Sequence, residues 1–227
     1  MNTSVLRFPS GESIWMEIHP GIIQLARDIL HEDEFLEAST LARMVSRSWG
    51  SKKGRSYAKL RLCDLTKPPP SRPLYYLRRE IRGLPRNTRN CIRYLGDYID
   101  ILAKEMTFEY LDGNARRSSL GANAKRLIEK RSDLRVLAEK LKRYADFMYT
   151  PAKHDFILPR GRRHRFTPEE VVFAAYVTVE LGRQILGVSK FATDAVEKDY
   201  LYVLGGRWGS GTRVKYGGGG LEGPTDT

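Results

Sequence analysis

Three apolar stripes constrain this chain more than any other feature. Cys91, Leu95, Tyr98, Leu102 and Met106 step by three and four residues, as do Leu134, Leu137, Leu141, Tyr144 and Met148. Val171, Val172, Phe173, Ala175, Tyr176, Val179, Leu181 and Ile185 crowd a third segment on most of its faces. Side chains three and four apart share one side of an α-helix, so the first two stripes are the buried sides of long amphipathic helices. Neither side is stable in water without a partner. The third segment is apolar nearly all round and belongs at the centre. The spacing therefore predicts an all-α fold, an antiparallel helical bundle over residues 84–204.

Local signals set the ends of these helices. Asn87 suits the cap of a helix running to about Tyr110, where Asp112, Gly113 and Asn114 break it. A shorter helix follows over 120–130. Ser132 caps the next, and Pro151 is expected to stop it. Thr167, Pro168, Glu169 and Glu170 form the clearest start signal: a capping hydroxyl, a proline in the first turn and an acid placed to reach back. That helix runs to Gly187, and a last one covers about 191–204.

The flanks read differently. Residues 1–66 predict a small helical N-terminal region. Pro20 and Gly21 open a helix carrying Ile22, Ile23, Ala26, Ile29 and Leu30, and a second spans Leu36 to Ser48. After Trp49 and Gly50, the stretch to Arg61 reads as a further short helix or a basic loop. Pro68, Pro69, Pro70 and Pro73 favour extended chain, so residues 67–83 read as a Pro-rich connector. Residues 205–227 hold nine glycines and are expected to form a flexible tail. No apolar run reaches the ~18–20 residues of a membrane span, and the first eight residues lack the apolar stretch of a secretory signal. A cytoplasmic protein with no membrane partner is the expectation.

Charge points toward a class of partner. Lys and Arg number 39 against 27 Asp and Glu, a net charge of +12. Residues 1–40 carry two basic and seven acidic side chains, whereas 41–100 carry fifteen basic and four acidic. A concentrated cationic segment attracts polyanions over long range. Cys63 and Cys91 flank the prolines and belong to no C-x-x-C pair, so free thiols are expected. No zinc spacing occurs, and neither a metal nor a cofactor is expected.

Two segments carry candidate chemistry. The loop over 149–166 holds Lys153, His154, Arg160, Arg162, Arg163, His164 and Arg165 and returns to the start of the Pro168 helix. Free N–H groups there favour an anion, the arginines add phosphate donors, and His154 or His164 can move protons. RNA would need no metal, because its 2′-hydroxyl is an internal nucleophile. A helical bundle with a basic residue and a His at the end of a core helix resembles the HEPN superfamily. The resemblance implies an RNase of the toxin or defence kind, with Lys153, His154 and His164 as the catalytic candidates. The family's motif has an Arg, four to six variable residues and then His. Here Lys153 directly precedes His154, and three residues separate Arg160 from His164, so the motif is not matched.

The second segment, from Ala38 to Trp49 and Gly50 and on to Arg61, has the flavour of a helix-turn-helix. It would present Lys52, Lys53, Arg55, Lys59 and Arg61 to phosphates or base edges. Tyr75, Tyr76 and other tyrosines suit base stacking as well as amphipathic core edges. Asp97 and Asp100 are read as pointing to different faces of their helix. Glycines 205–211 lack the strand and helix of a phosphate loop, and no serine sits in a nucleophile elbow. The sequence therefore favours an intracellular RNA- or DNA-binding protein acting through 43–93 with the 153–165 loop. Metal-independent RNA cleavage is its sharper form. The alternative is a non-enzymatic helical interaction protein whose charge serves solubility. Either can form homo-oligomers.

Overall fold

The structure, a computed structural model, describes residues 4–7, 13–16, 18–48, 51–66, 71–111, 113–154, 157–158, 162–163 and 165–204. A short antiparallel hairpin, β1 (Ser4–Arg7) and β2 (Ser13–Met16), precedes α1 (Pro20–Ile29), α2 (Glu32–Ser48) and α3 (Lys52–Leu65). Then come α4 (Arg72–Arg82), α5 (Thr88–Leu111), α6 (Leu120–Lys130) and α7 (Arg135–Tyr144). A π turn (Ala145–Tyr149) leads into the one-turn α8 (Thr150–Lys153). The two-residue strands β3 (Ile157–Leu158) and β4 (Arg162–Arg163) pair before α9 (Pro168–Val188) and α10 (Lys190–Leu204). The fold is all-α, as the stripes predict; the tail over 205–227 lies outside the described residues.

Helix α9 is the hub, packed against α1, α2 and α5. Its capping box forms as expected: Thr167 Oγ1 accepts from Glu170 N–H at 3.2 Å, and Glu170 Oε2 accepts from Thr167 N–H at 3.0 Å. Glu170 Oε1 also accepts from His19 N–H at 2.8 Å, so one carboxylate ties the starts of α1 and α9 together. Tyr98 lies against Gly182, and Glu109 accepts from Ser189 Oγ, so α5 and α9 run side by side in one direction. Helix α7 runs the other way along α9: Lys140 reaches Gln184, and Tyr144 shares a 2.7 Å hydroxyl contact with Thr178. Helix α4 folds back along α5, with Asn90 donating to Glu80.

Three sequence readings change here. The 67–83 connector is not extended throughout, because α4 occupies Arg72–Arg82. Pro73 lies in its first turn, where a missing N–H costs nothing, and Leu74, Leu77 and Ile81 are buried below it. Pro151 does not stop the preceding helix. The π turn just before it loosens the ladder at the place where a proline removes a donor. Finally, an 18-residue window of α9 is long and apolar enough to cross a bilayer, although 67% of it is buried within the bundle. Its charges sit at the ends or pair locally, which is why the run looks shorter in the sequence. The N-terminal helices share the central core, since Ile22, Leu25, Val45 and Leu62 join Leu95, Leu141 and Phe173 in one buried cluster.

Candidate functional site

The basic segment folds into helices that meet edge to edge. Ser51 caps α3, its Oγ accepting from Gly54 N–H at 3.0 Å, so the stretch left open as helix or loop is helical. Ala58 and Leu62 turn inward. Lys59 Nζ donates to Arg82 O, a carbonyl at the end of α4, at 2.6 Å. Arg78 and Arg82 lie within electrostatic reach of Cys63. Helix α3 is thus antiparallel to α4, and Lys53 and Arg55 lie toward the turn that carries Arg86. On α4, residues 72, 75, 79 and 82 form the outer side, opposite the buried Leu74, Leu77 and Ile81.

Many exposed cations on the other helices meet a carboxylate. Arg116 meets Glu105, Arg131 meets Asp133, Arg135 meets Glu139, Lys142 meets Asp146, and Arg183 meets Glu180. Arg143 pairs with Asp28. On the α3–α4 face, Arg61 pairs with Glu37 at 2.6 Å. Lys53, Arg79, Arg82 and Arg86 are exposed and meet no carboxylate among the described residues. Residues 51–93 contain thirteen basic side chains and only Asp64 and Glu80 as acids, so local neutralisation is unavailable by composition.

Lys153 and His154 lie at the end of α8. The His154 N–H donates to Thr150 O at 3.0 Å, closing the helix, and its side chain is exposed. Lys153 Nζ donates to Tyr149 Oη at 3.0 Å and lies 4.9 Å from that ring's centroid. Tyr149 Oη in turn donates to Asp97 Oδ1 at 2.8 Å and lies 3.4 Å from Asp100 Oδ2. Asp100 Oδ2 also meets Lys104 Nζ at 2.9 Å. Asp97 and Asp100 therefore converge on one phenol, which corrects the expectation that they face apart. Residues three apart on a helix are neighbours. Desolvation of the half-buried Asp97 carboxyl raises its pKa, against the Tyr149 hydrogen bond and the charges of Arg93 and Lys153. Burial and the two carboxylates push the Tyr149 phenol upward, so it stays a donor.

Among the described residues, the basic segment meets α8 where Arg89 Nε donates to Ala152 O at 2.8 Å. This bond places the start of α5 beside Lys153 and His154. Arg165 is exposed just before α9. Arg160 and His164 lie outside the described residues, and for Lys52, Arg162 and Arg163 the backbone alone is described. Arg55 is half-buried. Sequence reasoning missed Arg79, Arg82, Arg86 and Arg89 as site residues, although their density was readable. It also missed Tyr149, because the π turn puts it on the buried side five residues after Tyr144.

A depression between Glu37, Met44, Tyr57, Arg61 and Tyr176 offers about 70 Å³, well below the ~300 Å³ of ligand pockets. No group of three or more metal-ligating side chains occurs among the described residues. Cys63 and Cys91 are both free thiols, and burial raises the pKa of each. No family model, curated protein or solved structure matches the chain.

Proposed function

We propose that the protein binds nucleic acid through the outer face of α3, α4 and the turn into α5. The observation that carries this reading is the set of exposed, unneutralised cations: Lys53, Arg79, Arg82 and Arg86. Exposed Arg117, Lys130, Lys190 and Lys198 also meet no carboxylate among the described residues, but they are spread over separate elements, whereas these four lie on adjoining helices of a segment almost without acids. A surface selected only for solubility would gain nothing from excluding acids from one side. Four cations without partners on adjoining helices give a field that a row of phosphates neutralises, with release of its counterions.

Arg79, Arg82 and Arg86 replaced together by Ala should weaken binding to labelled RNA and DNA alike. The slope of log affinity against log salt should flatten by about 2, or roughly 0.7 for each lost contact. All three side chains are exposed, so the melting temperature should hold. An unchanged slope would remove this face from the interface. Binding that ignores salt would favour the interaction-protein reading.

RNA cleavage is a dependent second reading, supported by the Arg89–Ala152 hydrogen bond that brings His154 beside the cationic segment. In the same assay His154→Ala should leave affinity intact and abolish any cleavage. Cleavage that survives the change would take His154 out of the chemistry.

A further inference from the structure

The side of α5 that faces α8 carries cations beyond those of the α3–α4 face. Residues 89, 93, 97 and 100 are spaced by four, four and three, so they lie along one side of the helix. Arg89 Nε donates to Ala152 O at 2.8 Å, and Asp97 and Asp100 meet Tyr149, so that side packs against the π turn and α8. Arg93 falls between these contacts, about 6 Å along the axis from Arg89 and from Asp97. Its guanidinium lies 4.8 Å from the Tyr94 ring centroid, and that ring stacks on Tyr76 of α4 at 5.7 Å. Arg93 therefore stands where α4, α5 and α8 adjoin. Lys153 is exposed, and its Nζ donates to Tyr149 Oη at 3.0 Å. The nearby acids are engaged elsewhere: Asp97 accepts from Tyr149, and Asp100 meets Lys104 Nζ at 2.9 Å. Asp97 lies within electrostatic reach of Arg93 and Lys153 but forms an ion pair with neither.

We infer that a nucleic-acid strand long enough to leave the α3–α4 face continues over the start of α5 and sets further phosphates on Arg93 and Lys153, next to His154. The inference rests on the nucleic-acid reading above and adds a second patch to it, so the ligand is a polynucleotide and not a free nucleotide. A phosphodiester chain carries a charge at every link, and each link that meets a cation releases counterions. A chain that reaches both patches gains from both, whereas a nucleotide or inorganic phosphate can occupy only one. An ammonium held by a neutral phenol keeps its charge for a ligand; one held by a carboxylate does not. Residues 86–96 hold three arginines and no acid, so no carboxylate interrupts the path from Arg86 to Arg93 along the chain.

The test measures affinity of the full chain across a salt series for labelled single-stranded RNA of about 5 and about 15 nucleotides, near the two ends of the range of single-strand sites. The slope of log affinity against log salt should be steeper for the long strand by about 1.4, or roughly 0.7 for each added contact. Lys153→Ala and Arg93→Ala should each take about 0.7 off the long-strand slope, so the deficit of each variant shrinks about fivefold as salt rises tenfold. Short-strand affinity should stay within about twofold, because the α3–α4 face holds that ligand alone. Lys153→Arg keeps the charge and should bind as the parent does. Arg117→Ala removes one exposed cation from the turn between α5 and α6 and should also bind as the parent does, which separates a contact from a change in net charge. Lys153 is exposed, so Lys153→Ala decides the matter if Arg93→Ala lowers the melting temperature. A long-strand slope that neither change moves, or that Arg117→Ala moves as much, overturns the inference while leaving the α3–α4 face standing. A parent that binds neither strand at low salt overturns both readings.

Discussion

Tyr149 joins the neighbouring Asp97 and Asp100 to Lys153, which lies far from them in the sequence. Its hydroxyl donates to Asp97, and Lys153 donates to it. Desolvation holds the Asp97 carboxyl above its ordinary range, so the folded chain binds that proton more tightly than the unfolded chain does. The sign follows from linkage. The Asp97 contribution to stability is fully present below the unfolded value near pH ~4 and is lost as pH rises through the folded value. An amide is a fixed copy of the neutral acid, and its Oδ1 can still accept from Tyr149. Asp97→Asn should therefore gain stability relative to the parent as pH rises from about 4 to about 7. Urea unfolding at the two ends of that range checks this. A variant that instead loses ground toward neutral pH would show that the ionised carboxylate is the favoured form.

At the scale of elements, the seating of Tyr149 depends on α5. A Cβ at Gly96 would lie 2.1 Å from Tyr149 Cδ2 and 2.7 Å from Cγ. Gly→Ala inside a helix ordinarily gains about 1 kcal/mol. Here the methyl group displaces a buried ring together with its hydrogen bonds, and overpacking costs about 1–3 kcal/mol. Gly96→Ala should thus lower the urea midpoint, by about 1–2 kcal/mol in stability; a raised midpoint would mean that the ring moves aside freely. The sequence disclosed the helices, because the stripes at 91–106, 134–148 and 171–185 and the Thr167 capping box are written in local periodicity. It concealed α4, because four prolines masked a helix that starts at Arg72 and holds the last of them in its first turn. It also concealed Tyr149, because one π turn shifts the 3.6-residue phase. The meeting of Asp97 and Asp100 was legible from their spacing of three and was misread. The Arg89 bond to Ala152 spans 63 residues, and no local pattern encodes it.

For the whole molecule, the decisive property is where the charge lies unneutralised. A net charge of +12 could be a diffuse coat. Instead, acids meet bases along α5 to α7 and at Arg143 and Arg183, while the α3–α4 face keeps exposed cations without carboxylates. The density of basic residues over 41–100 disclosed this much from sequence, and the antiparallel α3–α4 pair turns that density into a surface. The acidic N-terminal residues cancel little of it, since Glu37 holds Arg61 while Glu34 and Asp28 serve His31 N–H and Arg143. The most direct measurement is the affinity of the unmodified chain for a short labelled single-stranded RNA across a series of salt concentrations. Four phosphates held by Lys53, Arg79, Arg82 and Arg86 predict log affinity falling against log salt with a slope of about −3. No binding at low salt, or a slope near zero, would contradict the account.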